Sequence, residues 1–184
     1  MKDRKTLLLC ALLIIAFFLA GCAAALLMSA YDARSERIRP MEGGQLLDLS
    51  AFGFTLMTPE GWQTADYTDQ NHESGGAAVF AGCTGTQGSA LYIFCYDNEN
   101  GDSLENYAPK ELFRYYMSAG AQDVRLRTLG GRRFIEYSAL VQREDKIETW
   151  FTYETWDAAR QITFETQIPA RDVLPILATI TFTE

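Results

Sequence analysis

The chain has 184 residues, 48% of them hydrophobic, and a formal net charge of −8 at pH 7. This length and apolar content suit one ordinary domain with a hydrophobic core. Because an acidic protein is repelled by nucleic acid and by anionic lipid headgroups, the composition argues against both as general partners.

The first 28 residues have the pattern of an export signal or a membrane anchor. Three basic residues within the first five positions precede 22 uncharged and largely apolar residues, 7–28. Within this run, Leu19-Ala20-Gly21-Cys22 resembles the lipobox of bacterial lipoprotein signal peptides. The pattern predicts cleavage before Cys22 and lipidation of its thiol by a diacylglyceryl group.

An uncleaved transmembrane helix is the alternative for the same segment. At about 1.5 Å per residue, this run extends about 33 Å, and the hydrocarbon core of a bilayer is about 30 Å thick. Residues 23–28 continue the apolar run past the lipobox, whereas mature lipoproteins more often begin with a polar tether. Both interpretations predict a lipid-anchored or single-pass protein of the cell membrane, with its domain on the extracytoplasmic side.

The rest of the chain divides into a tether and one domain. Residues 29–45 lack strand or turn regularity and are interpreted as the tether, whereas residues 46–184 form the predicted domain. Its first predicted strand, 54–57, ends at the turn Thr58-Pro59-Glu60-Gly61. Residues 79–83 and 90–96 then predict a hairpin.

Cys83 and Cys95 belong to this predicted hairpin and are the two cysteines outside the export segment. An extracytoplasmic compartment permits a disulfide between them. The hairpin register, however, pairs Cys83 with about position 90, which leaves Cys95 several residues too far along for a bond. The sequence therefore leaves both a disulfide and two buried thiols open.

A helix is predicted to begin near Asp102, whose side chain can cap it while Glu105 lies three positions on. Leu104, Ala108 and Leu112 recur at helical spacing, which indicates one buried face. Pro109 lies inside this stretch, so we expect a kink or a restarted helix there.

The C-terminal half has the clearest strand pattern. Gly130-Gly131 is a strong two-residue turn, because glycine accepts positive φ at both positions. This turn places Arg125 opposite Glu136, an opposite-charge cross-strand pair. The predicted strands are 124–128, 133–141, 146–155, 160–167 and 180–182, and a short helix is predicted at 171–179.

Four short motifs follow one another along the predicted domain. They are Pro59-Glu60-Gly61-Trp62, Ser103-Leu104-Glu105-Asn106-Tyr107, Gly130-Gly131-Arg132-Arg133-Phe134 and Thr179-Ile180-Thr181-Phe182. Their order resembles the PsbP-like α+β fold of bacterial DcrB-like lipoproteins and of the extrinsic PsbP subunit of photosystem II. The resemblance implies an α+β class, with an antiparallel β-sheet packed with two helices. It also implies a protein that binds or stabilises other proteins.

The residues that could carry catalysis or bind a metal are few. His72 is the single histidine and lies in a polar, glycine-ended loop, where a solvated histidine is the simpler interpretation. Without a second histidine or a Cys-x-x-Cys motif, no metal site and no cofactor are predicted. The loop from Asp97 to Asp102 fails the EF-hand pattern, because Gly101 falls fifth instead of sixth, so a turn is preferred to a calcium site.

Two sets of residues are candidate binding surfaces. The first is a basic hairpin formed by Arg125, Arg127, Arg132 and Arg133, which could bind an anionic polymer or an acidic partner. The second is the strand face that carries Trp150, Glu154 and Trp156, which could bind a sugar or a peptide. The competing interpretations are a solvated edge hairpin and a strand whose aromatic residues pack in the core.

These observations predict a membrane-anchored extracytoplasmic domain that is not an enzyme and that binds or supports a protein partner in the cell envelope. The alternative is a receptor for a small ligand or a wall polymer, which would use the aromatic face or the arginine hairpin. An envelope hydrolase that uses acidic residues as general acid and base has no sequence motif behind it.

Overall fold

The computed structural model describes residues 38–67, 77–83, 89–143 and 145–183. The predicted anchor, Cys22 and His72 lie outside these ranges. In the ranges that are described, no helix has the length and apolar character needed to cross a membrane.

The described part of the chain is mostly β-structure, so the predicted α+β class is wrong. It has ten strands in two antiparallel sheets and two short α-helices, rather than helices packed on one sheet. The strands are β1 (Gln45–Leu49), β2 (Phe54–Thr58), β3 (Gln63–Asp66), β4 (Ala77–Gly82), β5 (Ala90–Asp97), β6 (Gln122–Leu129), β7 (Arg132–Arg143), β8 (Lys146–Trp156), β9 (Arg160–Thr166) and β10 (Thr181–Phe182). The helices are α1 (Pro109–Ser118) and α2 (Ala170–Leu177).

The physical reason for this error is that strands from both ends of the domain form a second sheet. β1 and β10 both pair with β2, and β10 is the C-terminal strand. The predicted helix from Asp102 is also shorter than expected. Residues Leu104–Asn106 form a 3₁₀ turn, and the α-helix begins only at Pro109, as the restart prediction allowed.

The core lies between the two sheets. The large sheet has the strand order β3-β4-β5-β9-β8-β7-β6. Its inner face carries Phe134 and Phe164, which are fully buried. Phe54 of the small sheet meets Phe164 edge to face, with 5.9 Å between ring centroids. The aromatic contact therefore joins the two sheets, and the buried Val173 and Leu177 of α2 add to the apolar core.

The β6–β7 hairpin has the predicted turn and register. Gly130 and Gly131 have φ angles of 56° and 81°, and Arg125 lies opposite Glu136. The ion pair of Glu136, however, is with Arg127, whose Nε lies 2.5 Å from a carboxylate oxygen. Two residues along the strand return the side chain to the same face, so the neighbouring arginine can reach the carboxylate diagonally.

The two cysteines of the domain are free. Cys95 lies opposite Ala77 in the β4–β5 ladder, whereas Cys83 follows Gly82, which lies opposite Ala90. The predicted register is thus correct to within one residue, and it keeps the two thiols apart. Burial raises the pKa of the Cys95 thiol to about 12, so this side chain remains a neutral thiol.

Candidate functional site

The outer face of the large sheet, which points away from the small sheet, is covered only in part. The α1 helix and the preceding 3₁₀ turn cover the β6–β7 side, where Leu104, Leu112 and Tyr116 pack with Ile135. Toward β5 the face is only half-buried, and Tyr92 and Trp150 lie there with 5.6 Å between their ring centroids. The α1 helix therefore covers one side of this sheet face and leaves the other side partly exposed.

Local sequence signals fix the start of α1. Pro109 occupies the first turn, where its missing N–H leaves no bond unmade. The Glu111 carboxylate accepts the backbone N–H of Ala108 at 3.3 Å. Four residues apart, Leu112 and Tyr116 face the sheet and are buried. The predicted Asp102 cap is replaced by Ser103, whose hydroxyl accepts the N–H of Glu105 at the 3₁₀ turn.

The loop after β5 lies across from α1 on the same sheet face, and the hydrogen bonds of Asn98 hold this loop in place. The side-chain amide of Asn98 donates to the carbonyl oxygens of Asp102, at 2.8 Å, and Asp157, at 2.5 Å. Its backbone N–H donates to Ala159 in the β8–β9 turn at 2.9 Å. Across the described ranges, no group of three His, Cys, Asp or Glu residues is placed to hold a metal ion. The hydrogen bonds of Asn98 thus join this loop to the β8–β9 turn.

Between α1, this loop and the sheet lies a cavity of about 540 Å³, which we call the outer cavity. Its volume falls within the range typical of small-ligand sites. It is lined by Asn98, Asn100, Asp102, Tyr107, Glu111, Leu112, Tyr115, Tyr116, Glu154, Trp156 and Gln161.

Glu154 is the most buried charged group of the outer cavity, at 9% exposure. The Tyr116 hydroxyl donates to one of its carboxylate oxygens at 2.9 Å, and the Gln161 amide donates to the other at 2.5 Å. Burial raises the pKa of Glu154, and the nearby Glu165 raises it further, while the two hydrogen bonds act in the opposite direction. Both of its partners are neutral groups.

Aromatic rings and two further carboxylates complete the lining. The Tyr107 and Trp156 rings meet edge to face at 6.0 Å, and the Tyr107 hydroxyl donates to the Asp102 carboxylate. Tyr115 meets Tyr116 in the same geometry at 5.3 Å, and Tyr115 is 68% exposed, so it forms the outer lip. The arrangement can surround an apolar or cationic group with rings and offer it carboxylate acceptors.

Of the two predicted tryptophans, the structure places Trp156 in the outer cavity and Trp150 outside it. Both lie on the same face of β8, as predicted. The Trp150 indole N–H donates to Glu148 at 3.4 Å, nearer the β7–β8 hairpin end. Trp150 and Trp156 therefore do not form one continuous binding surface.

The four arginines of the predicted basic hairpin do not meet on one face. Besides Arg127, which pairs with Glu136, Arg132 pairs with Asp157 at 2.6 Å and lies 4.1 Å above the Phe182 ring. Arg133 donates to the carbonyl oxygens of Leu104 and Tyr107 and so holds the 3₁₀ turn. Arg125 is exposed. Three of the four guanidinium groups thus make internal contacts.

Sequence reasoning missed most of the lining. Tyr107, Tyr115 and Gln161 were not predicted as binding residues, because they meet only after β9 pairs with β8 and α1 packs on the sheet. The sequence did offer one signal: side chains alternate between the two faces along β8, which placed Glu154 and Trp156 on the same face. Asn98 was noticed only as part of a calcium pattern, whereas its role is to fix the loop.

The comparisons with known proteins identify the fold. No protein-family model and no curated protein matches the chain. The solution structure of cyanobacterial PsbP (CyanoP) from Synechocystis sp. PCC 6803 matches with a TM-score of 0.55 at 14% identity, over 75% of this chain and 91% of that one. A crystal structure from Bacteroides thetaiotaomicron VPI-5482 matches with a TM-score of 0.53 at 14% identity, over 78% of this chain and 50% of that one. The chain thus has a PsbP-like fold.

Proposed function

We propose that this protein is a non-enzymatic binding module, held on the extracytoplasmic side of a cell membrane, which recognises an envelope protein through the outer cavity. The observation that carries the proposal is the cavity itself, a concave site with apolar rings and a few convergent polar groups. Ligand sites in proteins generally have this make-up. The non-enzymatic part rests on the sequence, in which no catalytic motif is recognisable.

The membrane attachment is proposed from residues 1–28, which lie outside the described ranges. Lipidation at Cys22 is the preferred form and an uncleaved helix the alternative. The mass of the N-terminal peptide of protein extracted from its host membrane tells the two apart. A peptide that starts at diacylglyceryl-modified Cys22 supports lipidation, whereas an intact chain from Met1 supports the helix.

The outer lip of the cavity supports a protein partner. Tyr115 lines the cavity and is also 68% exposed, so a partner that enters the cavity would bury a large aromatic side chain at its rim. Tyrosine is one of the side chains that contribute most to protein–protein interfaces.

Site-specific photo-cross-linking of the full chain in its native host tests the proposal. A photoreactive phenylalanine analogue replaces Tyr115 in one variant. In the matched control it replaces Tyr67, a 42% exposed tyrosine that follows the edge strand β3. We expect one discrete protein adduct from position 115 and none of that mass from position 67. Identical adducts from both positions, or none from position 115, contradict the outer cavity as the partner site.

A receptor for a small ligand or a wall polymer is the second candidate. It is favoured by the amide side chains of Asn98, Asn100 and Gln161 beside the Trp156 ring, since amides and aromatic rings together suit sugars. Titration of the detergent-solubilised full chain with wall oligosaccharides, followed by tryptophan fluorescence, tests it. A saturable change that is lost in Trp156→Phe supports the receptor, and flat titrations across the panel contradict it.

A further inference from the structure

The outer cavity carries negative charge that no lining residue balances. Three of the described residues that line it are acidic, namely Asp102, Glu111 and Glu154, and none of them is basic. Two arginines of the β6–β7 hairpin make other contacts: Arg132 pairs with Asp157, and Arg133 pairs with Glu105 and the 3₁₀ turn. The lining therefore presents net negative charge to a ligand that enters the cavity.

Glu154 is the most buried of the three lining carboxylates, so its charge is the least screened by water. Its two hydrogen bonds come from a phenol and an amide, one to each oxygen. A carboxylate has about four acceptor positions, so about half of its capacity remains for a further donor. A cationic donor gains most from such a position, because charge-assisted hydrogen bonds are about twice as strong as neutral ones.

The rings of the cavity favour the same kind of ligand. Tyr107, Tyr115, Tyr116 and Trp156 each have an electron-rich face, which attracts cations. Tyr107 and Tyr116 remain neutral: the hydrogen bond to Asp102 raises the pKa of Tyr107, and burial raises the pKa of Tyr116. Carboxylates beside neutral aromatic rings are the combination by which proteins recognise ammonium and guanidinium groups.

The size and make-up of the site argue against a bare metal ion. Calcium requires six to eight oxygen ligands at about 2.3–2.6 Å, whereas aromatic rings supply none. A cavity of about 540 Å³ is also far larger than one ion needs. Carbon-bearing cations, by contrast, can fill the volume against the rings while the charge contacts a carboxylate.

We infer that the outer cavity binds an organic cation, an ammonium or guanidinium group whose charge contacts Glu154 and whose carbon atoms pack against the Tyr107 and Trp156 rings. This inference rests on the proposed function, in that the outer cavity is the binding site, and it names the chemistry that the partner presents there.

Calorimetric titration of the detergent-solubilised full chain with matched probes tests the inference. The cations are N-acetyl-lysine amide, N-acetyl-arginine amide and choline. The neutral counterparts are N-acetyl-norleucine amide, for lysine, and 3,3-dimethylbutanol, for choline. We expect at least one cation to bind roughly ten- to hundredfold more tightly than its neutral counterpart, as a hydrogen bond to a charged group implies. Which cation binds best distinguishes a basic side chain from a choline headgroup.

Two substitutions on the same strand locate the effect. Glu154→Gln keeps the shape and a hydrogen-bonding amide but removes the charge from the cavity. Glu148→Gln is the matched control, because Glu148 lies on the same face of β8 and also accepts bonds from a ring N–H and a glutamine amide. It removes the same charge outside the cavity. We expect Glu154→Gln to abolish the preference for the cation and Glu148→Gln to leave the affinity within about twofold, as for a charge outside the site.

Three outcomes overturn the inference. Equal affinity for a cation and its neutral counterpart removes the role of charge while leaving the outer cavity as a binding site. Equal weakening by both substitutions shows general attraction to an acidic protein rather than recognition by Glu154. If no probe binds while the cross-link from position 115 forms, the cavity has a partner of another chemistry, so the proposed function stands and the organic cation does not.

Discussion

The turn between β6 and β7 offers two adjacent glycines that differ in one physical respect. Both have positive φ, 56° at Gly130 and 81° at Gly131. A Cβ added at Gly131 would meet no atom within 4 Å. A Cβ added at Gly130 would lie 2.5 Å from both the Cγ2 and the carbonyl oxygen of Ile180. Alanine is therefore strained at both positions but collides with the C-terminal segment at only one.

The expected losses of stability follow from two effects, the backbone strain at both positions and the collision with Ile180 at Gly130. An L-residue in the left-handed region costs about 1–2 kcal/mol, and Gly131→Ala should lower the free energy of unfolding by that amount. Overpacking a filled site costs about 1–3 kcal/mol more. Ile180 is 3% exposed, and one of the atoms that must move belongs to its backbone, so this second term applies in full. Gly130→Ala should therefore lower the free energy of unfolding by about 2–5 kcal/mol.

Urea unfolding of the detergent-solubilised full chain, followed by circular dichroism, measures both values. The Gly131→Ala variant is the control for the strain of the turn alone. Equal losses from the two substitutions would refute the reasoning, because they would mean that Ile180 does not rest against the turn in solution.

Two further predictions concern β8. The Tyr153 hydroxyl is buried without a hydrogen-bond partner among the described residues, so Tyr153→Phe should raise the free energy of unfolding by about 1–3 kcal/mol in urea melts; a loss of stability would show that the hydroxyl is bonded. Burial raises the pKa of Glu154 above its ordinary 4.5, so the folded state binds the proton more tightly than the unfolded state does, and the stability that this adds below pH 4.5 is lost as the pH rises through the higher folded-state pKa. Glu154→Gln should therefore become more stable relative to wild type between pH 4 and pH 7 in urea melts, and a pH-independent difference would show that the pKa is unshifted.

Local patterns predicted the parts of the fold that local chemistry determines. Gly130-Gly131 fixed a hairpin and its register, because positive φ at both positions leaves few other structures. Pro109 marked the start of α1 for a similarly local reason. The fold class was wrong because β10 completes the small sheet by pairing with β2, a contact between distant parts of the sequence that no short pattern reveals.

The outer cavity was predictable only in part, for the same reason. The alternation of side-chain direction along β8 placed Glu154 and Trp156 on the same sheet face. Their partners Tyr116 and Gln161 arrive from a helix and from the next strand, so the geometry depends on tertiary packing. The arginine hairpin shows the converse. Four basic residues close in sequence suggest a charged surface, but successive residues of a strand point to opposite sheet faces, and Arg132 and Arg133 separate accordingly.

Strand β8 contributes to the core and to the outer cavity with alternate residues. Tyr153 and Thr155 are buried on the inner side, whereas Glu154 and Trp156 reach the cavity. Substitutions at the two outer positions can change what the protein binds without altering the side chains that hold the sheets together. Deletion of a single residue within the strand would instead exchange the two sets, placing a carboxylate in the core and a core tyrosine in the cavity. Related chains can therefore diverge in ligand through point changes at these positions, whereas the length of this strand must stay constant.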